Sequence, residues 1–269
     1  MDIDVSGLVV EAQPVARACA EIYLRHVGAW FVGLLAHGSA VKGGFIPGCS
    51  DLDMQLYLDD AAYSWHGQLP LEIGFAVRRE LEAVDLGPFR YVQCYPRRVH
   101  VEPGWVGPIP GAYHLIAGRL PIPAATAADL LESARRALDT LDPAPRHLMG
   151  KLLGHGSERL ARSLRLLCTE VWPAVYQVLA LHECEPLATW QLNKVEAIRR
   201  LPAGVRPAAE RFYAAVRAYY PAEDSLEGAL DLISAGVYTL ESATPWWARI
   251  SATEAKLAMQ AACSGELSP

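Results

Sequence analysis

The sequence lacks the patterns that mark several large classes of protein. Its six cysteines include no CxxC pair, so neither a zinc site nor a redox motif is predicted. A net charge of -6 leaves no basic excess for general nucleic-acid binding. No apolar run approaches the roughly 20 residues that span a bilayer, and residues 1–10 lack the basic region of a signal peptide. We therefore expect a cytoplasmic protein that binds neither nucleic acid nor membrane.

The composition is that of a well-packed globular chain. Hydrophobic residues make up 52% and charged residues 20% of the 269 positions, which excludes disorder and allows one large domain or two ordinary ones. The pattern changes near residue 125, from mixed elements to helices. We therefore predict an α+β protein, with an α/β domain containing a small mixed sheet over residues 1–125 and a C-terminal α-helical bundle domain over residues 126–269.

Local periodicity places the elements of both regions. Apolar spacing predicts helices at residues 9–27 and 69–84, and apolar or alternating runs predict strands at 29–35, 51–58, 89–95 and 98–102. In the second region, the same spacing predicts helices at 127–140, 146–166, 167–182, 188–200, 206–219 and 224–241. The last of these either ends there or runs past residues 245–247 into a final helix near 252–262.

The most informative stretch joins a tight turn to a pair of acids. Residues 34–44 read as the end of a strand followed by a turn at Gly38-Ser39, and the next strand begins with Asp51 and Asp53. Side chains at i and i+2 of a strand project from the same face, so the two carboxylates lie side by side and can share a divalent metal. Backbone N–H groups and a hydroxyl at the Gly-Ser turn can bind phosphate oxygens. This pattern indicates chemistry on a nucleoside triphosphate.

The same residues resemble the nucleotidyltransferase superfamily that includes DNA polymerase beta. Residues 37–53 read His-Gly-Ser-Ala-Val-Lys-Gly-Gly-Phe-Ile-Pro-Gly-Cys-Ser-Asp-Leu-Asp, which is similar almost residue for residue to streptomycin/spectinomycin-type aminoglycoside adenylyltransferases. A weaker resemblance covers residues 187–202, where the family places a lysine near the nucleotide phosphates at the start of a helix. By that match the lysine is Lys194.

The resemblance implies a Mg²⁺-dependent transfer of a nucleoside monophosphate, AMP from ATP in the first instance, to a hydroxyl of a small molecule. Asp51 and Asp53 would be catalytic and would hold two metal ions. Gly38 and Ser39 would bind the phosphates together with Lys194, and Lys42 lies within reach of the same phosphates. The helical domain would close the nucleotide and acceptor cleft. An aminoglycoside-like acceptor is the family's suggestion.

One catalytic group of the family has no clear counterpart. Active members carry a third carboxylate on the neighbouring strand, and the expected strand at residues 89–95 contains no acid. Gln93 or Tyr91 falls at that position, and an amide cannot accept the proton of an attacking hydroxyl. If residues 98–102 are instead the central strand, Glu102 completes the triad and His100 is a second candidate base.

The missing acid leaves other functions open. The first function is the nucleotidyltransferase that the resemblance implies. It is a nucleotide-binding sensor if the amide at Gln93 marks lost catalysis. An antitoxin-like partner protein is a third alternative, which the long helical region disfavours.

Overall fold

The computed structural model describes residues 2–100, 104–154, 156–220 and 225–264. The chain divides into two compact units. The first contains Met1–Leu130 and also a short later segment, Trp190–Val195. The second contains Leu131–Thr189 and Glu196–Pro269. A mixed sheet in the first unit and helices in the second confirm the predicted α+β class.

The described residues of the first unit form α-helices and β-strands. In chain order they are α1 (Gln13–Val27), β1 (Phe31–His37), α2 (Ser39–Lys42), β2 (Leu52–Leu58), α3 (Leu71–Leu81), β3 (Val92–Arg98) and β4 (Tyr113–Gly118). The four strands form one sheet in the order β3-β2-β1-β4. The β2 and β3 strands are parallel, whereas β1 pairs antiparallel with both β2 and β4.

The two faces of the sheet differ in character, as strand alternation requires. The even-numbered residues of β2, Leu52 to Leu58, are buried in a core that is completed by α1 and by the apolar side of α3. The odd-numbered positions of β2 lie on the opposite face, where Asp53 and Gln55 are half-buried and Tyr57 is buried. Since both helices cover one face, the polar residues of β2 are left on the other.

In the second region, all the regular structure of the described residues is helical. Its helices are α4 (Ala127–Asp139), α5 (Arg146–Leu152), α6 (Ser157–Glu183), α7 (Pro186–Gln191), α8 (Lys194–Arg200), α9 (Arg206–Tyr219) and α10 (Leu226–Ser264). The α10 helix packs against α6 and α9 at Gly236, where a Cβ atom would lie 2.6 Å from Leu167 Cδ2 and 3.2 Å from the Phe212 ring. A glycine is therefore needed for the close approach of these helices.

Several boundaries differ from the sequence-based expectation. The β4 strand was not predicted, because its signal is a backbone pairing with β1 rather than an apolar run of its own. The α6 helix continues through residues 166–167, where we expected a break. The α10 helix continues through Pro245 to Ser264, which is the longer of the two expected alternatives. Helix-interior prolines usually break or kink a helix, and here the neighbouring Trp246 and Trp247 are buried.

The α6 helix is long and apolar enough to cross a membrane when judged by length and composition alone. In its most apolar stretch, 61% of the residues are buried inside the protein. Its apolar surface is therefore used mainly in packing the helical unit.

Candidate functional site

The turn between β1 and α2 brings the backbone close to a carboxylate. Gly38 has φ +72°, a conformation that side-chain-bearing residues rarely adopt. A Cβ atom on Gly38 would lie 3.2 Å from Asp53 Oδ2. The Gly38 carbonyl accepts the Lys42 N–H at 3.1 Å and so closes the single turn of α2. The Gly-Ser turn and the Asp53 carboxylate are therefore neighbours, and their role as one binding site stays a prediction.

The two acids share this site. Asp51 immediately precedes β2, and Asp53 pairs in register with His37 of β1 and with Gln93 of β3. Burial raises the pKa of Asp53 to about 7, the negative charge of Asp51 adds to that effect, and Lys194 opposes it. A buried carboxyl group that resists ionisation is stabilised in its charged form by a nearby cation. Asp51 and Asp53 are accordingly the described residues best placed to hold a divalent metal.

Two lysines lie close together near this turn, and the charge of one of them, Lys194, acts on Asp53. The Lys42 ammonium donates to the Trp190 carbonyl at 2.9 Å and lies 5.7 Å from the centre of that residue's ring. At the start of α8, the backbone nitrogen of Lys194 would lie 3.5 Å from a Cβ atom on Gly44. Burial lowers the pKa of Lys42 to about 7, and the Lys194 charge contributes. Because the positive charges of Lys42 and Lys194 repel each other, an anion bound between them would be stabilised.

The neighbouring strand, β3, carries an amide at the position where we expected a third carboxylate. Gln93 is the direct register partner of Asp53, and the other β3 residues on that face are Tyr95 and Arg97. The Tyr91 hydroxyl donates to Gln93 Oε1 at 3.3 Å. Gln93, rather than Tyr91, therefore occupies the position beside Asp53. Within the described ranges, no group of three or more His, Cys, Asp or Glu side chains is arranged to hold a metal.

The expectation of a separate strand at residues 98–102 is wrong for its described residues, 98–100. The β3 strand ends at Arg98, and the residues directly after it form a bend. Glu102 lies outside the described residues, so its role as the third carboxylate stays a prediction. His100 is exposed, and its Nε2 atom lies 2.9 Å from Asp60 Oδ2. That partner is not one of the two site acids.

A polar row on β1 and β2, not foreseen as functional, extends the site away from Asp53. Burial lowers the pKa of His37 to about 4, so the ring is neutral near pH 7. Its Nε2 atom lies 3.5 Å from Gln55 Nε2, and the Tyr57 hydroxyl donates to Gln55 Oε1 at 2.7 Å. The alternation of Asp53, Gln55 and Tyr57 along β2 was the sequence signal for this row. We call these residues, with His37, the polar row.

Comparison with known proteins reveals a likeness in structure. No protein-family model matches the sequence, and no curated protein sequence matches it significantly. The solved structures that match include spectinomycin adenyltransferase AAD(9) from Enterococcus faecialis with ATP and spectinomycin. The match covers 86% of this chain and 98% of that one, with 13% identity and a TM-score of 0.46. That enzyme is of the class that the sequence motifs resemble, but so distant a match assigns no function by itself.

Proposed function

We propose that the protein is a Mg²⁺-dependent nucleotidyltransferase that moves a nucleoside monophosphate, AMP from ATP in the first instance, to a hydroxyl of a small molecule. The observation that carries this proposal is the convergence of opposite charges at the Gly38-Ser39 turn. Asp51 and Asp53 form an acidic pair there, and Lys42 with Lys194 form a basic pair beside it. A nucleoside triphosphate with its divalent cation complements both pairs.

The basic pair and the turn would bind the triphosphate. Phosphate oxygens would accept hydrogen bonds from the Ser39 hydroxyl and from backbone N–H groups of the turn. The ammonium groups of Lys42 and Lys194 would neutralise the β- and γ-phosphates. When the oxygen of the acceptor hydroxyl bonds to the α-phosphorus, the bond to the bridging oxygen breaks, and the hydroxyl proton passes to water. Pyrophosphate then leaves with its charge compensated.

The acidic pair fits a magnesium ion shared with the substrate. Magnesium is usually bound by one or two carboxylates plus substrate phosphates, and Asp51 and Asp53 supply two carboxylates on one face of a strand. When bound, the ion would neutralise phosphate charge and help to align the reacting oxygens. Because Asp53 binds a proton up to pH of about 7 in the free protein, ion binding would displace that proton.

The test is release of pyrophosphate from ATP in the presence of Mg²⁺ and a panel of hydroxylated small molecules. We expect release that depends on both the metal and an acceptor. Asp51→Asn and Asp53→Asn should each lower the rate by more than about 100-fold, because loss of even an indirect metal contact costs 10–100-fold. Glu21→Gln, which neutralises an exposed acid on α1, is the matched control. Full activity in either aspartate variant would refute the proposal.

A second function is favoured by one observation, the amide of Gln93 in direct register with Asp53. Gln93 can accept a hydrogen bond from an acceptor hydroxyl but cannot take its proton. A protein that binds Mg²⁺ and ATP without turnover would act as a nucleotide sensor. In that case Gln93→Glu should create pyrophosphate release, whereas Gln93→Asn should not. If the wild type turns over rapidly, the sensor function is excluded.

A further inference from the structure

A cavity continues from the far end of the polar row. Its volume is about 390 Å³, within the usual range of small-molecule sites. The lining that matters for its chemistry is Tyr57, Tyr63, Arg97, Arg98, His100 and Trp105. All of these residues belong to the first unit. We call this space the arginine cavity.

Arg97 is positioned in the arginine cavity by its strand and by two rings. It pairs in register with Tyr57, on the face of β3 that also carries Gln93. Its guanidinium carbon lies 5.5 Å from the centre of the Tyr95 ring and 5.6 Å from that of Trp105. Such contacts hold a guanidinium plane in a fixed orientation. The hydrogen-bond donors of Arg97 are therefore held in a defined orientation in the arginine cavity.

Two buried polar atoms at the arginine cavity have unused hydrogen-bonding capacity. Among the described residues, neither Arg97 Nε nor the Tyr63 hydroxyl has a hydrogen-bond partner. A buried donor left without an acceptor costs about 1–3 kcal/mol. A ligand that supplies acceptor oxygens would remove that cost.

The charge of the lining selects the kind of ligand. The Arg98 guanidinium lies over the Tyr63 ring at 4.9 Å, and the carboxylate of Asp60 pairs with His100. Within the part of the chain that the structure describes, no salt bridge joins Arg97 or Arg98 to an acid. The guanidinium groups of the half-buried Arg97 and the exposed Arg98 repel cations and match the oxygens of carboxylate or phosphate.

We propose that the arginine cavity binds an oxyanion, a carboxylate or phosphate, carried by the acceptor. The acceptor is then a hydroxylated acid and not a polycationic aminoglycoside. This inference rests on the proposed transferase function and specifies its substrate class. Tyr57 lies four residues beyond Asp53 on β2, so the anionic group sits up to roughly 13 Å from the reacting hydroxyl at about 3.3 Å per residue.

The test uses four probes that share a sugar ring and differ in charge: glucose 6-phosphate, glucuronate, glucose and glucosamine. Binding is followed by ligand-observed NMR with Mg²⁺ and saturating α,β-methylene-ATP, which occupies the triphosphate site and cannot transfer AMP. We expect the two anionic probes to bind at least about tenfold more tightly than glucose, since a charge-assisted contact contributes 1.5–3 kcal/mol. Comparing phosphate with carboxylate identifies the preferred oxyanion. Glucosamine should bind no better than glucose.

Arg97→Gln should abolish the preference for anionic probes and leave the affinity for Mg²⁺ and α,β-methylene-ATP unchanged. Arg97→Lys should restore it only in part, because an ammonium lacks the paired donors of a guanidinium. The control is Arg79→Gln, at an exposed position on α3. Circular dichroism verifies that each variant is folded.

The outcomes separate this inference from the proposed function. If the nucleotide analogue binds but glucosamine binds as tightly as glucose 6-phosphate, or if the anionic preference survives in Arg97→Gln, the oxyanion inference is overturned and the transferase proposal stands. If the analogue does not bind at all, the transferase proposal fails, and the assignment of the arginine cavity to an acceptor fails with it.

Discussion

Asp53→Asn should stabilise the protein in the absence of metal, although it removes the central acid of the site. Burial and the charge of Asp51 raise the pKa of Asp53 from 3.8 to about 7. At 1.36 kcal/mol per pKa unit, a shift of this size corresponds to at most about 4 kcal/mol of unfavourable ionisation. Because Asp53 keeps some contact with water, we expect a gain of about 1–3 kcal/mol in the free energy of unfolding near pH 8.

The sign of the effect follows from proton binding. Between pH of about 4 and 7 the folded state holds a proton on Asp53 that the unfolded state has released, so stability falls as pH rises through this window. Below that window both states are protonated and the asparagine variant should match the wild type. Urea unfolding of the two proteins near pH 5 and near pH 8, without metal, measures the gap, which should be larger at the higher pH.

In the presence of magnesium, the wild type should be more stable than Asp53→Asn. Millimolar MgCl₂ should stabilise the wild type by preferential binding to the folded state and leave Asp53→Asn unchanged. The control variant Glu21→Gln should follow the wild type at each pH and with metal. If metal-free Asp53→Asn is less stable than the wild type near pH 8, the inference that the buried charge of Asp53 destabilises the folded state is wrong.

Three further predictions concern other parts of the molecule. Without metal, the affinity for ATP should weaken by up to about tenfold per pH unit above 7, because Lys42, whose pKa is about 7, loses its proton there. Titration calorimetry should show this pH dependence in the wild type and not in Lys42→Met. Gly38→Ala should lower the free energy of unfolding by about 1–2 kcal/mol, because position 38 has a positive φ. It should also weaken Mg²⁺-dependent ATP binding, since the added methyl group would contact Asp53. Equal ATP affinities of the wild type and Gly38→Ala would contradict this contact. In the helical unit, Phe212→Ala should cost about 3–5 kcal/mol in urea unfolding, and a loss below about 1 kcal/mol would show that Phe212 is not the core residue described.

The parts of the site that the sequence predicted are those set by local geometry. A Gly-Ser turn after a buried strand and two acids spaced by two residues are encoded within residues 37–53. The structure places Gly38 against Asp53, with Asp51 and Lys42 in the same group. Short-range rules of strand alternation and turn conformation were sufficient for these residues.

The parts that were not predicted depend on contacts between distant residues. The β4 strand is defined by its pairing with β1, and Trp190–Val195 joins the first unit although helices of the second unit flank it. Register alone shows that Gln93 is beside Asp53. The arginine cavity combines residues from β2, β3 and two loops, and no local pattern groups them.

The resemblance of residues 187–202 did point to one of these distant contacts. It singled out Lys194, and the structure brings the charge of Lys194 close enough to Asp53 and Lys42 to affect both of their pKa values. Its contact with phosphate, like the proposed closure of a cleft by the domain at residues 126–269, stays a prediction.

The central claim is that Asp51, Asp53, Lys42 and Lys194 form one site for a nucleoside triphosphate and its metal. Calorimetric titration of the purified protein with ATP, with and without Mg²⁺, tests it most directly, and Asp51→Asn serves as the comparison. We predict that the wild type binds ATP much more tightly with Mg²⁺ than without it, and that this metal dependence is lost in Asp51→Asn. Absence of binding to any nucleoside triphosphate, or equal binding with and without Mg²⁺, would contradict the claim.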